Sequence, residues 1–146
     1  MDRLAWNTTW EMGDARIDGQ HQAMVAGINR LAEAMEAGRG EEEVGQAISF
    51  LTVYVRAHFV HEENLMAHYG YPDLDEHRTL HVACGHKVEA LLNTFRRGGH
   101  DTLAELVGFL QYWLTNHLER EDRLLAAFLR EREVLAPASL PAGAGR

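Results

Sequence analysis

A chain of 146 residues suffices for one domain whose core needs no covalent staples. Its 46% apolar and 25% charged residues are an ordinary globular balance, and a net charge of −8 argues against nucleic acid or an anionic membrane surface as partner. One cysteine, Cys84, excludes an internal disulfide and a thiolate-rich metal site; the opening residues lack a secretory leader's pattern, no run can span a bilayer, and a cytoplasmic location is expected.

Residues 1–17 are expected to form an N-terminal arm whose Trp6, Trp10, Met12 and Ile17 pack along the helices of the bundle. A first helix is predicted from about Asp18 to Ala37, with His21, Met24, Val25, Ile28, Leu31, Ala32 and Met35 on one face and Gly38 and Gly40 ending it. The second starts near Glu41-Glu42-Glu43, whose charges suit a helix N-terminus, and stops at Gly70-Tyr71-Pro72. Its buried stripe carries Ala47, Leu51, Val55, His58, Glu62 and Leu65.

The third helix is predicted from about Asp73 to Gly98, burying Leu74, His77, Leu80, His81, Cys84, Val88, Leu91 and Phe95. The fourth opens on Thr102-Leu-Ala-Glu105, the spacing of a capping box, and buries Leu106, Leu110, Trp113, Leu114, His117, Leu118, Leu124, Leu125 and Phe128. Residues 1–133 are thus expected to make one all-α, up-down-up-down four-helix bundle, and 134–146 a disordered tail poor in large apolar groups.

Polar residues on the apolar stripes carry the functional reading. Nine histidines are present, and five of them, His21, His58, His77, His81 and His117, fall on inward faces of four different helices. Residues four apart stack on one side of a helix, so His58/Glu62 and His77/His81 can each grip one centre. Each element alone is commonplace: lone core histidines bond to carbonyls, and His-x-x-x-Glu pairs are usually solvated. Together they would cost a core roughly 1–3 kcal/mol per unpaired group unless something satisfied them at once, as a metal does.

Asp122 lies five residues after His117, and spacing alone reads it as a surface residue; a π-type bulge would turn it inward. Five imidazoles and two carboxylates exceed the needs of one ion with an open position and suit two ions with shared carboxylates. The ligand types favour iron over zinc, manganese or copper. The alternative helical di-iron scheme, with Glu-x-x-His on two helices, is disfavoured because that spacing does not occur in the chain.

The ordered set Ile17-Asp-Gly-Gln-His21, His58-Phe-Val-His-Glu62, His77-Arg-Thr-Leu-His81 and Trp113-Leu-Thr-Asn-His117-Leu-Glu-Arg-Glu-Asp122 resembles the bacterial hemerythrins over roughly residues 6–131. By that resemblance His77, His81 and His117 would hold one iron and His21 and His58 the other. Glu62, Asp122 and an oxo or hydroxo group would bridge them. The two-histidine iron would keep a position open for dioxygen, and Phe59, Trp113, Leu114 and Leu118 would line the oxygen pocket.

The implied function is reversible dioxygen binding for storage, transport or local supply, with no catalytic residues. An oxygen or redox sensor, or a di-iron oxidase, peroxidase or nitric-oxide-handling enzyme, stands as the alternative. Asp14 departs from the usual apolar residue of relatives, and His61, His68, His86 and His100 lie outside the motif, His61 at best behind a ligand.

Overall fold

Asp14 sets the start of the first helix. Its carboxylate accepts hydrogen bonds from the backbone N–H of Arg16 and Ile17, so the polar departure noted at this position is a helix cap. Asp14→Ala should lower stability by about 1 kcal/mol with the site intact, checked by urea unfolding with the metal content measured alongside.

The computed structural model describes residues 2–135. Within them run α1 (Ala15–Glu36), α2 (Glu41–Tyr69), α3 (Leu74–Arg96), α4 (Thr102–Glu119) and α5 (Glu121–Glu131), preceded by a single 3-10 turn at Thr8–Trp10. There is no strand among the described residues. Short turns fold each helix back on the one before it, and α4 with α5 makes the fourth rod of an all-α four-helix bundle.

The turn after α2 shows how one of these reversals is built. Gly70 takes a left-handed backbone (φ 68°) that other residues rarely adopt, and the N–H of Tyr71 closes on the Met66 carbonyl at 2.9 Å. This drops Tyr71 into the core rather than into solvent.

The core is two apolar clusters with a polar layer between them. One gathers Met24, Ile28, Leu31, Leu51, Leu106 and Leu110, among others; the second holds Met12, Ile17, Met66, Tyr71, Leu125 and Leu129. Leu31, Ile17 and Leu129 are completely buried, each contributing roughly 1.5–3 kcal/mol. The N-terminal arm joins both clusters, Trp10 entering the first and Met12 the second. Asp18 fixes it by accepting from the N–H of Met12 (2.7 Å) and Gly13 (3.1 Å), and Arg130 donates to the Met12 carbonyl at 2.7 Å.

Three expectations need correction. Thr102 does not form a capping box: it already has helical backbone, no side chain caps α4, and its hydroxyl donates back to the Gly99 carbonyl. Leu80 is 37% exposed and Leu124 is 61% exposed, so neither belongs to the buried stripes. Leu80 sits at the edge of its stripe, beside the inward His81. Leu124 is displaced because the fourth rod breaks at Arg120 (φ −112°, ψ −77°), which resets the facing of everything after it. Leu135 is buried, and residues 136–146, most of the expected tail, lie outside the described residues.

Candidate metal centre

Each polar residue of the middle layer sits between apolar neighbours of the two clusters on its own helix. His21 lies between Ile17 and Met24, the His58/Glu62 pair between Leu51 and Met66, and His117 and Asp122 between Leu114 and Leu125. The helical repeat that buries those neighbours therefore buries the polar groups as well, and all seven predicted ligands are at most 4% exposed.

Asp122 reaches this layer through the break at Arg120. An unbroken helix would turn it about 140° from His117, at about 100° per residue. The interruption removes one residue's worth of rotation, and Asp122 then shares a buried stripe with Leu125 and Leu129. Its inward turn is achieved by a helix break in place of the π-type bulge.

The donors fall into two groups. Glu62, His77, His81 and His117 have ligand atoms all within 4.8 Å of one another, as do His21, His58, Glu62 and Asp122. The two carboxylates face both sides. Glu62 turns Oε1 toward His77 Nε2 (2.6 Å) and Oε2 toward His58 Nε2 (3.0 Å). Asp122 turns Oδ1 toward His77 and His117 (3.2 Å each) and Oδ2 toward His21 (3.2 Å).

Neighbouring imidazole Nε2 atoms stand 2.9 Å apart for His21/His58, 3.0 Å for His77/His117 and 3.1 Å for His81/His117. Two donors about 2.1 Å from one ion and at right angles around it are separated by about 3 Å.

These short distances do not satisfy the carboxylates. All four oxygens of Glu62 and Asp122 are buried and none makes a well-directed hydrogen bond, because the nitrogens aim at shared points rather than along N–H···O lines. Burial and the nearby Asp122 both favour neutral Glu62, yet the imidazoles of His58, His77 and His81 override them and hold it well below the usual carboxylate range. Burial also opposes ionisation of Asp122, and His117, with His21 and His77, likewise keeps it ionised. Against its own burial, His77 is pushed up to about 10 by Asp122 and Glu62. Two buried anions with orphaned oxygens call for positive charge between them, and imidazole with carboxylate and no thiolate fits iron.

Residues 12–129 match the family model described as the hemerythrin HHE cation binding domain. The chain belongs to the hemerythrin family. A bacteriohemerythrin of Pseudomonas aeruginosa is 33% identical over 122 residues, covering 84% of this chain and 78% of the relative. That of Stenotrophomonas maltophilia is 31% identical over 126 residues (86% and 81%), and a myohemerythrin of Theromyzon tessulatum is 24% identical over 117 (80% and 86%).

Sequence reasoning missed the residues that orient this hemerythrin's histidines. His58 Nδ1 donates to Gln20 Oε1 at 2.8 Å, directing the Nε2 lone pair inward; His61 Nδ1 approaches the same oxygen at 3.2 Å. His81 Nδ1 donates to Glu63 Oε2 (3.2 Å), whose other oxygen accepts from Arg78 Nε (2.9 Å). His117 Nδ1 stands 3.8 Å from Glu121 Oε2. Only Glu121, four residues after His117, had a helical signal that could have revealed it.

Of the four expected pocket residues, two lie directly against the histidines. Phe59 stacks on His81 with ring centroids 3.9 Å apart and planes at 5°, and Trp113 on His117 at 4.4 Å and 15°. Leu114 and Leu118 are buried in the adjoining cluster. His68, His86 and His100 are exposed, away from this buried layer. None of the helices is long and apolar enough to cross a membrane, among the described residues.

Proposed function

We propose that this chain binds two iron ions and, through them, dioxygen reversibly, for storage, transport or local supply. His77, His81 and His117 would hold one ion, His21 and His58 the other, and Glu62 and Asp122 would give one oxygen to each. The observation that carries the reading is this asymmetry: three imidazoles on one side of the shared carboxylates and two on the other. The ion held by His21 and His58 would have one protein donor fewer, which would leave room for an exogenous ligand. A pair of ferrous ions supplies the two electrons that reversible dioxygen binding needs. The names of the bacteriohemerythrin and myohemerythrin relatives agree with this reading.

The chain's own residues contribute three things. Gln20 and Glu63 fix the tautomers of His58 and His81, so that each presents a lone pair toward the centre. Glu62 and Asp122 stay ionised and balance the cations' charge. Phe59, Trp113, Leu114 and Leu118 pack around the histidines and would keep water, and so protons, away from the centre.

The test is the visible spectrum of iron-loaded, reduced protein in argon, then air, then argon. Bands that appear in air and fade under argon are expected. Permanent oxidation at the first exposure would overturn the carrier reading and favour an oxidase.

A further inference from the structure

An apolar groove of about 370 Å³ runs between α2 and α3 on the side of the bundle next to the metal centre. Val55 and Phe59 wall it on α2, Val88 and Leu92 on α3, and Leu31 and Leu110 reach its floor from α1 and α4. Its size falls in the range of small-molecule sites. Phe59 is shared with the centre, since one face of its ring covers His81.

Two features distinguish the groove from loose packing. The first is Gly85, in the middle of α3, where glycine costs a helix about 1 kcal/mol relative to alanine. At Gly27 the small residue is explained by a close helix approach, because an added Cβ would lie 2.9 Å from Leu51 Cδ1. At Gly85, as at the helical Gly45 and Gly108, nothing lies within 4 Å of that position, and Gly85 itself lines the groove, so a larger side chain there has room to extend along its wall. The second is charge. Arg56 and Arg96 both line the groove, in a protein of net charge −8, and neither forms an ion pair among the described residues, even with Glu89 on the same rim.

We propose that the α2–α3 groove binds a small amphiphile with a carboxylate head, its aliphatic tail lying between Val55 and Val88 and its head meeting Arg56 or Arg96 at the rim. The apolar walls account for the tail, the unpaired guanidinium groups for an anionic head, and Gly85 for the space. The site is distinct from the metal layer and does not depend on which ion that layer holds. An occupant would touch Phe59 and so lie one ring away from His81.

Calorimetric titration of the full chain with sodium hexanoate and octanoate, and with octan-1-ol, tests this. Octanoate should bind about 16-fold more tightly than hexanoate, at about fourfold per buried methylene, and more tightly than the alcohol. Gly85→Leu should remove octanoate binding while raising helix propensity, so the variant stays folded by circular dichroism. The pair Arg56→Gln/Arg96→Gln should weaken octanoate by roughly tenfold and leave octanol unchanged. The proposal fails if octanoate gives no heat, if Gly85→Leu binds it as before, or if acid and alcohol bind alike.

Discussion

Glu62→Gln is expected to reduce bound iron from two ions per chain to one or none. The amide has nearly the volume of the carboxylate, so the helix contacts around it persist. It has a single acceptor oxygen, however, and its NH2 would point a donor at the imidazoles of one group. Glu62 belongs to both groups of donors and, like Asp122, turns its two oxygens to opposite sides, so on the proposed reading one substitution there would reach both ions. Glu63→Gln, one residue on, is the control: it removes the partner of His81 Nδ1 but no inward donor, and should retain both ions at lower affinity. Iron per chain measured on desalted protein, with circular dichroism to show that the bundle is retained, decides the matter. Two ions still bound to the glutamine variant would rule out the bridging role.

Loading the centre should raise the melting temperature by an amount few other single changes could match. A ligand at a thousand times its dissociation constant stabilises by about 4 kcal/mol per site. For a chain near this length, each kcal/mol moves the midpoint by roughly 2–4 °C, giving roughly 8–16 °C per ion. The rise has a structural origin: the ions would satisfy four buried carboxylate oxygens and join donors from all four rods of the bundle. Scanning calorimetry of iron-loaded and chelator-treated protein measures it, and the Glu62→Gln variant should lose most of the difference. Coincident melting curves would mean that the polar layer is satisfied without a cation.

Much of this arrangement was legible in the chain because helical periodicity and glycine punctuation are local. The ends of α1, α2 and α3 fall within a few residues of the glycines and of Pro72. The inward histidines were legible for the same reason, since the stripe that buries Met24 or Leu51 also carries His21 or His58.

What periodicity could not supply was facing beyond a break. Asp122 was recoverable only through the family's five-residue spacing, and Leu124 was misplaced because the phase of α4 was carried past Arg120. Gln20 was hidden for another reason. It stands beside one ligand in sequence but serves a different one across the bundle, and no spacing within one helix encodes a contact between two. Thr102 misled because a capping-box spacing does not say which residue precedes the helix; here it is Asp101, whose backbone is itself helical and whose side chain caps nothing.

The interruption at Arg120 resembles a dislocation in a crystal. Order is regular on either side, and the whole mismatch is confined to a single residue. Such a defect cannot be healed locally without consequence: restoring a continuous helix through it would rotate Asp122, Leu125 and Leu129 together, so the buried polar layer and the second apolar cluster would be lost in the same event. Length changes between His117 and Leu125 are therefore tolerable only in compensating pairs, one residue gained for one removed, which move the defect along the rod and leave the phase beyond it unchanged.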